Sequence, residues 1–125
     1  MDDRFTVLAD VERPDFPADA GVMTALVEVA PGSGGSPPHR HSGPVFGYVL
    51  EGEVIFELEG EAPRVLRAGD TFSEPGGDVV HYRAANNRPD AWARFLAVMV
   101  CAPGVEMLTY LTADEIAARR HLRHP

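Results

Sequence analysis

Apolar and polar residues alternate along most of this chain in short runs that Gly- or Pro-containing turns separate. In the segment 54–58, every second residue is large and apolar, namely Val54, Phe56 and Leu58. A period of two places such side chains on one face of a β-strand. A second apolar run at 46–50 lies directly before this segment across a turn that contains a glycine. The two runs therefore predict a β-hairpin.

The same pattern recurs through the rest of the chain and predicts a protein built almost entirely of strands. Turn signals come about every ten residues, and no helical pattern intervenes before the C-terminal part. Such spacing is typical of an antiparallel sandwich or a small barrel, so the predicted fold class is all-β. An additional strand is expected at 5–11. The other predicted strands are 22–29, 64–67, 71–74, 79–84 and 92–101.

One helix is predicted, close to the C-terminus, over about 112–122. Thr112 and Glu115 have the spacing of a capping box, in which the side chain of each residue bonds the backbone N–H of the other. The cationic residues at 119–121 are then expected in the last turn, where positive charge interacts favourably with the helix dipole.

Composition and charge narrow the classes of partner. The chain has 125 residues, with 19 acidic residues against 11 basic ones and a net charge of −8. This length suits one domain, expected to span 1–125 with a core at about 20–105. The negative charge repels phosphate backbones and anionic bilayers, so neither nucleic acid nor a membrane is an expected partner. A single cysteine, no secretory pattern and no long apolar run favour a cytoplasmic protein.

Histidines provide the candidate chemistry. His39 and His41 lie two positions apart at the mouth of a predicted strand, so their side chains share a face and could chelate a first-row divalent metal. A pair of loop histidines without a ligand role fits this spacing equally well. His81 follows a Pro-Gly-Gly turn and lies on a later predicted strand. A third histidine in such a position favours a metal site over a pair of histidines without a ligand role. The remaining histidines, His121 and His124, are expected to be solvated at the end of the helix.

The segment 39–53 resembles the first sequence motif of the cupin family. That motif contains His-x-His, then a glutamate and a closing glycine, and His39, His41 and Gly52 match its first and last parts. Counting back seven positions from Gly52 places Val45 where the motif has its glutamate. Valine cannot bind a metal, so this resemblance predicts a variant without the usual carboxylate.

A later segment resembles the second cupin motif, which contains a glycine, Pro-x-Gly, a histidine and an asparagine. Gly69, Pro75 and Gly77 match the first part, and His81 and Asn86 follow, each displaced by one position. The two motifs occur in order and the resemblance covers most of the chain. It implies a double-stranded β-helix, the RmlC-like jelly-roll barrel, with a metal bound inside its mouth.

By this resemblance, His39, His41 and His81 would hold a divalent transition metal such as Fe, Mn, Ni, Zn or Cu. The chain is similar to three-His, diketone- or quercetin-dioxygenase-like cupins. The resemblance implies a metal-dependent enzyme that acts on a small enol, diketone, phenolic or thiol substrate. A non-catalytic metal- or ligand-binding cupin, an isomerase or cyclase, and a structural relic are the alternatives. Cupins of this size usually pair through edge strands, so a homodimer is expected.

Glu74 is the candidate for supplying the carboxylate that is missing at Val45. In similar three-His dioxygenases, a glutamate near this place lies beside the metal as an outer-shell group or general base, and the sequence equally allows a solvent-facing side chain at a strand end. Arg83 and Arg94 lie on predicted strands. They could meet a substrate carboxylate or could equally be outward charges.

Overall fold

The computed structural model describes residues 2–125 and contains two antiparallel β-sheets. Aromatic rings from both sheets meet between them: Phe56 of one sheet and Phe72 of the other lie 4.7 Å apart by ring centroid. Besides one 3-10 turn, the regular structure within these residues consists of nine strands and one α-helix: β1 Gly21–Val29, β2 His39–His41, β3 Val45–Glu51, β4 Glu53–Leu58, β5 Arg64–Arg67, β6 Thr71–Glu74, β7 His81–Asn86, β8 Ala93–Cys101, β9 Leu108–Tyr110 and α1 Ala113–Ala118.

Strand order shows how the jelly-roll barrel is built. One sheet has the order β1-β8-β3-β6 and the other has the order β5-β4-β7-β2-β9. The longest pairing joins β1 to β8, from Gly21 opposite Cys101 to Val29 opposite Ala93. Apart from β4 and β5, neighbours in each sheet are not consecutive in sequence, so the chain crosses repeatedly between the sheets, as a double-stranded β-helix requires. The predicted all-β fold is confirmed.

Most predicted strands coincide with observed ones, and the exceptions lie near the chain ends and around β7. The strand expected at 5–11 is wrong: this segment is irregular and its apolar side chains are exposed, with Phe5 at 95%. No neighbouring strand edge is paired with it, so alternation alone does not make it a strand. Strand β7 begins at His81, two residues later than expected, and β9 was missed because three residues are too few for a periodic signal.

The C-terminal helix is confirmed with a shorter length. Thr112 and Glu115 form both bonds of the predicted capping box. The α-helix ends at Ala118, and a 3-10 turn follows at Arg120–Leu122, so the expected cationic last turn lies outside α1. Within residues 2–125, no helix is long and apolar enough to cross a membrane.

Arginine side chains anchor the C-terminal segment to the outer face of the five-stranded sheet. Arg123 donates from Nε to Oε2 of the buried Glu57 at 2.6 Å, and Arg119 donates from Nε to Oε2 of Glu59 at 2.9 Å. Arg40, in the middle of β2, donates to Oε2 of Glu115 in α1 at 3.0 Å. These ion pairs hold the helix directly behind the strand that carries two of the histidines.

A close approach of two strands fixes the inner face of the four-stranded sheet. Gly47 lies opposite Phe72, and a Cβ at position 47 would come within 1.9 Å of the Phe72 ring. The absence of a side chain there lets the Phe72 ring lie against both Phe56 and Phe95, with centroids 4.7 and 5.5 Å away. Offset or edge-on contacts of this kind stabilise an aromatic core.

We predict that Gly47→Ala destabilises the protein by about 1–3 kcal/mol, because the added methyl group overpacks the Phe72 ring. Urea unfolding followed by far-ultraviolet circular dichroism measures the change. Gly21→Ala is the matched control on β1, since a Cβ there would meet nothing within 4 Å. Equal stability of the two variants would contradict the packing described for Phe72.

Candidate metal centre

Strands β2 and β7 bring the predicted histidines together. His39 and His81 are direct partners across these antiparallel strands, and His41 lies two residues further along β2 on the same face. All three side chains are buried, and one potential ligand atom from each lies within 4.8 Å of the others. These histidines could therefore hold a metal, and His39 and His41 lie on a strand rather than in a loop.

Backbone carbonyls orient two of the rings. Nδ1 of His39 donates to the Pro37 carbonyl at 2.8 Å, which leaves Nε2 free as a ligand atom. In His81 the roles are reversed, because Nε2 donates to the Arg83 carbonyl at 2.8 Å and leaves Nδ1 free. Metal-binding histidines generally use the second ring nitrogen in this way, which fixes both the tautomer and the ring orientation.

Glu74 points into the same site. It is 5% exposed, and its Oε1 lies 3.1 Å from Nδ1 of His81 and 3.6 Å from Nε2 of His41. The expectation of a solvent-facing side chain at the strand end is therefore wrong. Glu74 on β6 is the direct cross-strand partner of Val45 on β3. Opposite residues of an antiparallel pair have Cβ atoms about 5 Å apart, so the carboxylate enters the cavity beside Val45.

Hydrogen bonding within this cluster is incomplete. Nδ1 of His41 and Nδ1 of His81 are buried without a hydrogen-bond partner. Because Nε2–H of His81 donates to the Arg83 carbonyl, Nδ1 of the neutral ring presents a lone pair toward the Glu74 oxygen. Two buried acceptors at 3.1 Å repel each other unless a proton or a cation lies with them. The donor set of imidazole nitrogens and one carboxylate therefore fits a divalent transition metal.

Burial keeps two of the imidazoles neutral. Desolvation lowers the pKa of His39, and the hydrogen bond to Pro37 opposes that shift only in part. Desolvation also lowers the pKa of His41, against the opposing effect of the Glu74 carboxylate. Neutral imidazole is the form that binds a metal. The environment thus favours the ligand form of both side chains.

The histidines and Glu74 lie at one wall of a cavity of about 420 Å³ between the sheets. On β3, Val45 and Val49 face inward and are 1% and 0% exposed. Trp92 lies at the rim. The apolar part of the lining consists of Val27, Val29, Ala30, Val45, Phe72, Ala84, Trp92, Phe95, Ala97, Met99 and Leu108.

Neither arginine considered for a substrate contact reaches this cavity. Arg83 donates to Glu57 at 2.9 Å on the outer face of the sheet. Arg94 donates to Glu28 at 2.7 Å and to Glu51. Both guanidinium groups are thus outward charges with acidic partners. His121 and His124 are exposed as expected, far along the chain from the cluster.

Sequence reasoning missed the groups that act through the backbone. The carbonyls of Pro37 and Arg83 orient the rings, and every residue type offers a carbonyl, so no residue identity marks them. Leu108 on β9 also lines the cavity. Its position depends on the pairing of β9 with β2. A strand of three residues is too short for its sequence to predict that pairing.

Comparison with known proteins agrees with this architecture. A protein of Diaporthe leptostromiformis, "Phomopsin biosynthesis cluster protein C'", is 30% identical over 94 residues, which are 75% of this chain and 48% of that protein. An oxalate oxidase in complex with the substrate analogue glycolate is 27% identical with a TM-score of 0.60, over 73% of this chain and 46% of the other. This chain therefore spans about half the length of each.

The polyketide cyclase RemF from Streptomyces resistomycificus is 26% identical with a TM-score of 0.55, and the match covers 82% of this chain and 70% of that one. The Cupin domain family matches residues 25–99, from β1 through β8. That match spans both histidine segments and Glu74. The chain belongs to the cupin domain family.

Proposed function

We propose that this protein is a metal-dependent cupin enzyme that acts on a small molecule in the cavity between its sheets. The observation that carries the proposal is the buried cluster of free imidazole nitrogens around the Glu74 carboxylate, at 3.1 and 3.6 Å from its Oε1. A buried carboxylate surrounded by acceptors favours a cation at this place. His39, His41 and His81 are the proposed metal ligands.

Each polar side chain has a proposed task. The histidines bind and orient, with ring positions set by the Pro37 and Arg83 carbonyls. Glu74 completes the ligand set or holds a proton at Oε1 when the substrate loses one. The apolar walls exclude water from the reacting end of the substrate. A divalent metal in this site would supply Lewis-acid or redox chemistry to a bound substrate.

Oxygenase-type chemistry on an enol, diketone, phenolic or thiol substrate is the first candidate reaction. The likeness to an oxalate oxidase, an oxidative enzyme by its name, supports it at 27% identity. A cyclase is the second candidate, supported by the likeness to the polyketide cyclase RemF and by an apolar cavity of about 420 Å³. Cytoplasmic location and a homodimer stay predictions from the sequence.

Oxygen uptake distinguishes these candidates. Metal-loaded protein is mixed with a panel of enols, diketones, catechols and thiols in an oxygen-electrode cell, while substrate loss is followed by chromatography. Oxygen consumption above the free-metal background supports the first candidate, and substrate loss without oxygen consumption supports a cyclase or isomerase. Metal uptake with neither change would identify a binding protein without turnover and refute the proposed enzyme.

We predict that His81→Ala lowers metal affinity at least roughly tenfold, because it removes one of the proposed ligands. Untagged protein is stripped with a chelator, titrated with Fe, Mn, Ni or Zn, and analysed by elemental analysis and calorimetry. The double variant His121→Ala/His124→Ala removes only exposed histidines and should bind as the unmodified chain does. Less than stoichiometric metal in the unmodified chain with all four metals would refute the metal site.

The cross-strand pairing of Val45 and Glu74 predicts that the carboxylate can be exchanged between strands. Glu74→Val should weaken metal binding, and Val45→Glu/Glu74→Val should restore most of it, because the two positions face the same point. Calorimetric titration with the metal that binds best measures both. Unfolding temperatures confirm that each variant is folded. If the double variant binds no better than Glu74→Val, the carboxylate of Glu74 has no direct role at the metal.

The lowered pKa values of His39 and His41 predict that metal-free protein loses stability in mild acid. In the unfolded chain both side chains take up protons as the pH falls through about 6.5, whereas the folded state resists this, so the free energy of unfolding decreases below that pH. Thermal unfolding at pH 7.5 and 5.5 measures the loss. His39→Gln/His41→Gln should reduce this pH dependence, while His121→Gln/His124→Gln should not. An unchanged dependence in the first variant would contradict the assignment.

A further inference from the structure

We infer that the cavity selects a ligand with one anionic end and an uncharged, apolar body, and rejects dianions. This inference rests on the proposed function, since it assigns the anionic end of the ligand to the metal site. It is carried by the distribution of charge around the cavity.

The cavity has no cationic side chain to receive a second anionic group. Among the described residues that line it, none is Arg or Lys. Among the described residues of this lining, the histidines that are proposed to hold the metal are the only basic groups. A carboxylate or phosphate held in the cavity beyond the metal would therefore lack a cationic partner, which is unfavourable for a desolvated charge.

Nearby arginines do not remedy this, because acidic side chains already engage them. Arg94, beside the rim, donates to Glu28 at 2.7 Å and lies 5.8 Å from the Trp92 ring. Recruiting Arg94 to a ligand would leave Glu28 without its partner. The carboxylate of Glu74, 5% exposed, adds repulsion toward any further negative charge inside.

The wall opposite the histidines is suited to an apolar body. Phe95, Ala97 and Met99 extend along β8 on its inner face, and all are buried. Val45 continues this surface on β3, directly opposite Met99. A ligand anchored at the metal by one end would lie against this surface, where apolar contact stabilises it and charge does not.

Two keto acids that share the same 2-oxo-carboxylate group, the part expected to bind the metal, test the preference for an apolar body directly. In 5-methyl-2-oxohexanoate an isopropyl group takes the place of the distal carboxylate of 2-oxoglutarate. Trp92 is the one tryptophan of the chain and lies at the rim, so its fluorescence reports occupancy without turnover. We expect metal-loaded protein to bind the apolar acid more tightly by roughly tenfold or more.

A charge added to the wall should reverse this preference. Val27 lies on the inner face of the edge strand β1 and lines the cavity, so Val27→Arg should raise the affinity for 2-oxoglutarate and remove most of the preference. Leu108→Arg on the edge strand β9 is the second variant if Val27→Arg is poorly folded. Thr24→Arg, exposed on the outer face of β1, is the control and should bind as the unmodified chain does.

The outcomes separate the inference from the proposed function. Metal content, measured first on the same samples, tests the metal site by itself, and its absence would overturn both. With metal bound, equal or tighter binding of 2-oxoglutarate, or no binding of either acid, would overturn the inference and leave the metal site standing. A preference that Val27→Arg and Leu108→Arg leave unchanged would also overturn it.

Discussion

A carboxylate buried among histidine side chains is the constraint on which the site depends. Within residues 2–125, no Arg or Lys side chain pairs with Glu74, which is 5% exposed, and Nδ1 of His81, 3.1 Å from its Oε1, has no hydrogen-bond partner. Leaving a charge buried without a partner costs several kcal/mol, so a protein retains such a cluster only where something else balances it. A proton balances it at the expense of the ligand atoms. A divalent cation balances it and satisfies the free nitrogens at the same time.

The rest of the barrel holds this cluster in place through a short strand. Strand β2 has three residues and pairs with β7 only through His39 and His81, so its position needs support from elsewhere. Strand β9 supplies three pairs along its other edge. Arg40 joins β2 to α1 through Glu115, and α1 belongs to the C-terminal segment that Arg119 and Arg123 tie to the sheet. The ion pairs on the outer face therefore help to hold the backbone of β2 in place, and with it the histidine side chains on the inner face.

Sequence patterns predicted the features that depend on interactions between residues close together in the chain. Alternation identified strands such as 64–67 and 71–74, and the spacing of Thr112 and Glu115 identified the helix start, because both depend on neighbours within a few residues. The direction of Glu74 was not predictable in this way, since a strand end allows either face. The pairing of β6 with β3 fixes the direction of the Glu74 side chain. The register between two segments that are distant in the sequence cannot be predicted from either segment alone. The same holds for the carbonyls that orient His39 and His81.

The pairing of Val45 with Glu74 links the ligand set to the shape of the cavity. The cupin motif has its glutamate at the place of Val45 on β3, and the carboxylate that lies beside the histidines here belongs to Glu74, the opposite residue on β6. A carboxylate at position 45 would interrupt the wall formed with Met99, its partner on the other side. With valine there, the apolar surface runs from β8 across β3 up to Glu74 on β6, and the three histidines face it from the other sheet. Moving one carboxylate by one strand thus keeps an acidic group beside the histidines and leaves the facing wall free for an apolar ligand.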